Sequence, residues 1–82
     1  VFPALDLCSQ AFETGGTAPA ILNAANEIAV EGFLREQISF LSISNLIDDA
    51  LNHCDISSAN SLEAILAADN AARRFVQERI KA

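Results

Sequence analysis

The sequence predicts an all-α fold, a four-helix bundle or a close relative, and three observations carry that expectation. Apolar residues recur at i, i+3, i+4 and i+7 in four separate stretches. Gly15-Gly16, the polar run Arg35-Glu36-Gln37 and the Ser- and Asn-rich segment from Asp55 to Ser61 separate those stretches. Alanine, leucine and isoleucine supply most of a 51% apolar content, with no Tyr or Trp, a balance that favours helix. Eighty-two residues make one domain, and a chain of this size buries only a little over ~60% of its unfolded surface, so modest stability is expected.

Val1-Phe2-Pro3 reads as a short lead-in, because Pro3 holds Phe2 extended and can itself start a helix. A first helix is expected over 4–14, with Leu5, Cys8, Ala11 and Phe12 on its apolar face and Gly15-Gly16 ending it. The tight turn sends the second helix back antiparallel or steeply crossed. That helix is expected over 18–35, with Thr17 as its cap and Pro19 in the first turn, where no amide donor is needed. Ile21, Leu22, Ala25, Ile28, Ala29 and Phe33 fall on one broad face, and Asn23, Glu27 and Glu31 on the other. Asn26 lies at the border, where a half-buried amide needs partners. Val30 and Leu34 stand on the polar side beside Asn23 and Glu27, as part of a patch facing another domain or as the seat of the Ile38–Leu41 connector.

The third helix is expected over 43–54, capped by Ser42 or Ser44, with Ile43, Leu46, Ile47, Ala50, Leu51 and Cys54 inward. His53, the sole histidine, falls in its last turn, where a cation suits the helix dipole. Asn60 or Ser61 caps a last helix over 61–80, with Glu63 in its first turn as in a capping box. Leu62, Ile65, Leu66, Ala72, Val76 and Ile80 trace its apolar stripe. Asp69 and Arg73 interrupt that stripe one turn apart, in the favourable order for a helical ion pair. They are expected either to fix helix register, through backbone or Asn26, or to meet another domain.

Eleven acidic residues against five basic ones give a net charge of −6, and the basic residues are confined to Arg35 and the last ten positions. That distribution argues against nucleic acid, which needs a concentrated positive surface. The apolar runs are too short to span a bilayer. Cys8 and Cys54 lack metal-ligand spacing and read as reduced thiols. With no signal peptide, the expected location is cytoplasmic. Because the chain starts at Val1 and holds no methionine, it is expected to be an excised domain.

The run Gly-Gly-Thr-Ala-Pro-Ala-Ile-Leu-Asn-Ala-Ala-Asn-Glu-Ile-Ala-Val from Gly15 to Val30, preceded by Phe2-Pro3-Ala4-Leu5 and followed by Ile38 to Phe40, closely resembles the C-terminal region of 1-deoxy-D-xylulose 5-phosphate reductoisomerases. Asp69-Asn-Ala-Ala-Arg73 matches that family's Asp-x-x-Ala-Arg pattern, so the resemblance spans nearly the whole chain. It implies a helical domain of a three-domain, homodimeric enzyme whose other domains bind NADPH and a divalent metal, Mg or Mn. That enzyme converts 1-deoxy-D-xylulose 5-phosphate to 2-C-methyl-D-erythritol 4-phosphate in non-mevalonate isoprenoid synthesis. No catalytic, cofactor or metal residue is carried over to this chain. Asn23, Asn26, Glu27, Asp69 and Arg73 are carried over as structural or interdomain groups, and the partners implied are the NADPH-binding and catalytic domains of the parent.

The chemistry of the residues agrees with an accessory role. Gly15-Gly16 lacks the preceding strand and following lysine of a phosphate loop, and Asp48-Asp49 points to different azimuths of a solvated face. Two readings of different kinds stand: an accessory domain of a reductoisomerase, inactive alone, or an independent acidic helical module that recruits a protein partner.

Overall fold

The computed structural model describes residues 3–81, with side-chain surroundings for 6–81. The lead-in at Val1-Phe2 and the core position expected of the Leu5 side chain lie outside what is described. The described residues form four helices, α1 (Pro3–Thr14), α2 (Ala18–Leu34), α3 (Phe40–His53) and α4 (Leu62–Lys81). They alternate in direction: Glu27 meets Arg73 and Gly32 meets Ile80, so α2 and α4 run the same way. Asp49 and His53 meet Arg79 and Phe75, so α3 opposes α4. Both α2 and α3 pack against all three other helices, while α1 and α4 do not meet among the described residues. The cross-section is therefore a rhombus with α2 and α3 on its short diagonal, and the domain is a slab of 37 × 27 × 17 Å.

The core follows from that arrangement. Ile21, Ala24, Ala25 and Ala29 of α2 close on Ile43, Ile47 and Ala50 of α3 and on Ala68, Ala72 and Val76 of α4, with Leu7 of α1 at one side. Small side chains let α2 and α4 approach: a Cβ on Gly32 would lie 2.8 Å from Ile80 Cδ1. With only two neighbours, α1 buries a narrow stripe. Leu7 and Ala11 occupy it, Cys8 is half-buried, and Phe12, expected inside, is exposed.

Of three expected caps, two are made differently and one as expected. Thr17 does not cap α2: its backbone is already helical (φ −85°, ψ 0°), and its side chain makes no capping bond. The fully buried hydroxyl Oγ1 instead accepts a bond from Ser57 N at 3.0 Å, while Thr17 N donates to Ser57 O at 2.8 Å. Packing of the 54–61 loop across the helix start makes this two-way bond more useful than a local one, since it satisfies the amide and the hydroxyl of buried Thr17 together. At α3 the helix starts three residues earlier than expected, with extended Ser39 (φ −80°, ψ 161°) preceding it and its Oγ 2.9 Å from Ser42 Oγ. Ser42 and Ser44 thus lie inside the helix. At α4, Ser61 Oγ accepts from Ala64 N at 3.1 Å. Of the two expected caps this is the later one, and it places Glu63 one position short of the capping-box site.

Helix α2 ends in a Schellman turn. Gln37 N donates to Gly32 O at 2.9 Å and Glu36 N to Phe33 O at 3.0 Å, with Glu36 in the left-handed region at φ 62°. A side chain there carries a steric cost that glycine avoids. Glu36→Gly is expected to stabilise the domain by about 0.5–1 kcal/mol, after the added unfolded-state freedom of glycine is subtracted. Urea unfolding would show this as a higher midpoint at unchanged slope.

Candidate functional site

On α2, Asn23, Asn26, Glu27, Val30 and Leu34 follow one another at helical spacing along the edge that borders α4. On α4, Asp69 and Arg73 stand opposite. Arg73 Nε donates to Asp69 Oδ2 at 2.7 Å, Nη2 reaches Asp69 Oδ1 at 3.4 Å, and Nη2 also donates to Glu27 Oε2. One guanidinium thus joins two carboxylates on two helices. Asp69 holds Arg73 in a forked geometry along its own helix, and Glu27 ties it across to α2. The hydrogen bond to Asp69, then that to Glu27, raises the Arg73 pKa above its already high value. Its charge is permanent at any working pH.

Asp69 and Arg73 pair one turn apart, and their partner on α2 is Glu27 in place of the expected Asn26. Asn26 is exposed, because the broad apolar face of α2 is rotated toward Ala24 and Ala25, and it lines an open depression with Glu27, Val30, Glu31, Leu34 and Arg73. Asn23 is exposed one turn earlier and takes no part in the ionic cluster. Leu34 is not the seat of the connector. Ile38 packs instead beside Gly32, on the far side of α2.

Because Arg73 and Asp69 are half-buried, solvent screens the cluster and its worth is modest. Arg73→Ala is expected to cost about 1–1.5 kcal/mol, and adding Asp69→Ala or Glu27→Ala little more, because each carboxylate acts through the same guanidinium. A double-mutant cycle by urea unfolding reads this directly. Additive losses would show that the carboxylates have other partners.

A second cluster pins α3 to α4. His53 Nδ1 donates to the Asp49 carbonyl at 2.8 Å, closing the last turn of α3, and its ring stacks on Phe75 at 5.6 Å. The Arg79 guanidinium lies 4.8 Å from the Phe75 centroid and 3.8 Å from Asp49 Oδ2. The stacking is invisible in sequence because it joins helices 22 positions apart. Burial, and then the adjacent Asp55 carboxylate, push the Cys54 thiol above its ordinary pKa, which keeps it protonated at neutral pH.

Of the exposed apolar residues at the α2–α3 corner, sequence reasoning placed Phe33 wrongly, whereas Leu34 is exposed as its place on the polar side of α2 implies. Phe33, expected in the core, lies edge-on to Phe40 with ring centroids 5.7 Å apart, and Phe40, Leu34 and Leu41 are all exposed. A signal was available for Leu41: it shares the azimuth of Asn45, Asp48 and Asn52, the polar side of α3. Leu62 and Leu66, expected on the inner stripe of α4, are exposed as well. His53, the last residue of α3, meets Phe75, so the first turns of α4 run on past the end of α3. Among the described residues, no group of three or more His, Cys, Asp or Glu side chains could hold a metal ion. No described helix is long and apolar enough to cross a membrane.

Residues 1–75 match the family described as the DXP reductoisomerase C-terminal domain. The chain is 49% identical over 79 residues to 1-deoxy-D-xylulose 5-phosphate reductoisomerase of Bacillus cereus (strain AH187), covering 96% of this chain and 21% of that protein. To the enzyme of Acinetobacter baumannii (strain SDF) it is 51% identical over 80 residues, covering 98% of this chain and 20% of that one. The fold superposes on the solved structure of 1-deoxy-D-xylulose 5-phosphate reductoisomerase from Zymomonas mobilis in complex with NADPH, with a TM-score of 0.92 and 41% identity, over 99% of this chain and 21% of that one. The chain thus spans about a fifth of the length of these relatives. Matched over most of its residues and over its whole fold, it belongs to the DXP reductoisomerase C-terminal domain family.

Proposed function

We propose that this chain is the accessory helical domain of a reductoisomerase that uses NADPH and a divalent metal, Mg or Mn. The reaction converts 1-deoxy-D-xylulose 5-phosphate to 2-C-methyl-D-erythritol 4-phosphate for isoprenoid synthesis, in a cytoplasmic homodimer. The observation that carries this is the near-complete coverage of this chain against a fifth of its relatives. The domain supplies no reacting group. It is a rigid slab that packs against the NADPH-binding and catalytic domains and holds their geometry. Glu27, Asp69 and Arg73 lock α4 to α2, and Asn23 and Asn26 stay available on the same edge for contacts across the domain boundary.

The test is NADPH oxidation with 1-deoxy-D-xylulose 5-phosphate and Mg or Mn, measured on the longer protein that carries this domain, on that protein without it, and on residues 1–82 alone. The longer protein is expected to be active, the isolated domain inactive, and the shortened protein slowed at least tenfold. Undiminished turnover without the domain would refute an accessory role. A reading frame holding these residues alone would favour the interaction module instead.

A further inference from the structure

At the end of the slab where α2 turns into α3, Phe33 and Phe40 meet edge-on, and Leu34 and Leu41, each next to one of them in sequence, are exposed. Leu34 is 73% exposed and Leu41 79%. Neither can be turned inward, because Ile38 and Gly32 already close the α2 end against Ile80. Clustered apolar exposure of this kind marks a contact surface.

We propose that this corner seats the preceding, catalytic part of the same polypeptide, an inference that rests on the accessory-domain reading. Two observations select that occupant. The first is where the polypeptide enters. Asp6 and Leu7 share a depression with Ser44, Asn45 and Asp48, so α1 begins at the end of the slab where α3 begins. In a C-terminal domain the rest of the chain arrives through the start of α1, beside Phe40 and Leu41, and the relatives carry about four-fifths of their length outside the matched region. The second is charge. The depression running from Leu34 to Arg73 holds Glu27 against Arg73, and with Asp69 the cluster carries two negative charges and one positive. The covering surface is therefore apolar over Phe33 to Leu41, with a lysine or arginine placed over Glu27.

The structure provides matched controls. Phe12, 75% exposed, and Leu62, 70% exposed, lie at the opposite end, beside Gly15-Gly16 and the 54–61 loop. In the full-length protein, Leu34→Cys, Leu41→Cys, Phe12→Cys and Leu62→Cys are each labelled with N-ethylmaleimide, and the rate is read on its own peptide by mass spectrometry. Dividing by the rate in urea removes differences in thiol chemistry. At positions 34 and 41 labelling is expected to be at least tenfold slower than at 12 and 62, independent of protein concentration. Equal rates at all four positions overturn the proposal. Protection that vanishes on dilution overturns it too, since the occupant is then a second copy. NADPH oxidation by the same variants separates the two readings: an active enzyme with unprotected thiols removes this seat and leaves the function, and an inactive protein with protected thiols does the reverse.

Discussion

Gly16→Ala is expected to destabilise the domain by about 3 kcal/mol or more, through two separable causes. Its φ of +57° lies in the left-handed region, which costs a residue with a Cβ about 1–2 kcal/mol. The new methyl would also stand 2.1 Å from the Ser57 carbonyl oxygen, a backbone atom that can yield only if the loop lifts. Lifting it breaks both bonds between Thr17 and Ser57, each worth about 1 kcal/mol, and strands a buried hydroxyl. Gly15 is the control, with a similar φ of +74° and no atom within 4 Å of the place a Cβ would take. Gly15→Ala should therefore show the torsional cost alone, about 1–2 kcal/mol. Thermal unfolding by circular dichroism reads both, at roughly 4–8 °C per kcal/mol for a domain of this size. Equal losses at the two positions would mean that the loop contributes nothing.

Ile21→Ala is expected to cost about 2–5 kcal/mol. Ile21 is fully buried on the central helix, in a core built mostly of alanines and isoleucines from α2, α3 and α4 with Leu7 and Val76. Those side chains are short and their backbones are already close, so the cavity cannot collapse and the removed methylenes leave unfilled space. For comparison, Leu34→Ala in the isolated domain should stay within about 0.5 kcal/mol, because Leu34 is exposed there. A loss below about 1 kcal/mol at Ile21 would show a core that repacks freely.

Much of the fold is legible in the sequence because it is local. The helical period, the Gly15-Gly16 break and the Ser61 cap depend on residues within about one turn, and all three appear where the pattern places them. What is lost is the orientation of helix ends. By pattern Ser42 and Ser44 are as good as Ser39, and only the Schellman turn at Glu36 brings the chain round early enough for α3 to begin at Phe40. Thr17 has the composition of a cap and the environment of a tertiary latch. Its partner is 40 residues away.

The candidate site divides in the same way. The Asp69–Arg73 pair is a four-residue relation and is visible in the sequence, whereas the choice of Glu27 over Asn26 depends on how α2 is rotated about its axis. That rotation is set by Ala24, Ala25 and Ala29 seeking α3 and α4 together.

Class, helix number, family and the identity of the residues at issue can all be read along the chain, since periodicity, turn chemistry and motif are properties of neighbours in sequence. Three outcomes required the packed molecule: Thr17 fastens the 54–61 loop, Arg73 bridges two helices, and Phe33 and Phe40 remain outside. Each follows from which helices lie beside one another. A rhombus of four helices leaves its ends and outer edges uncovered, and no helical period records where the covering stops.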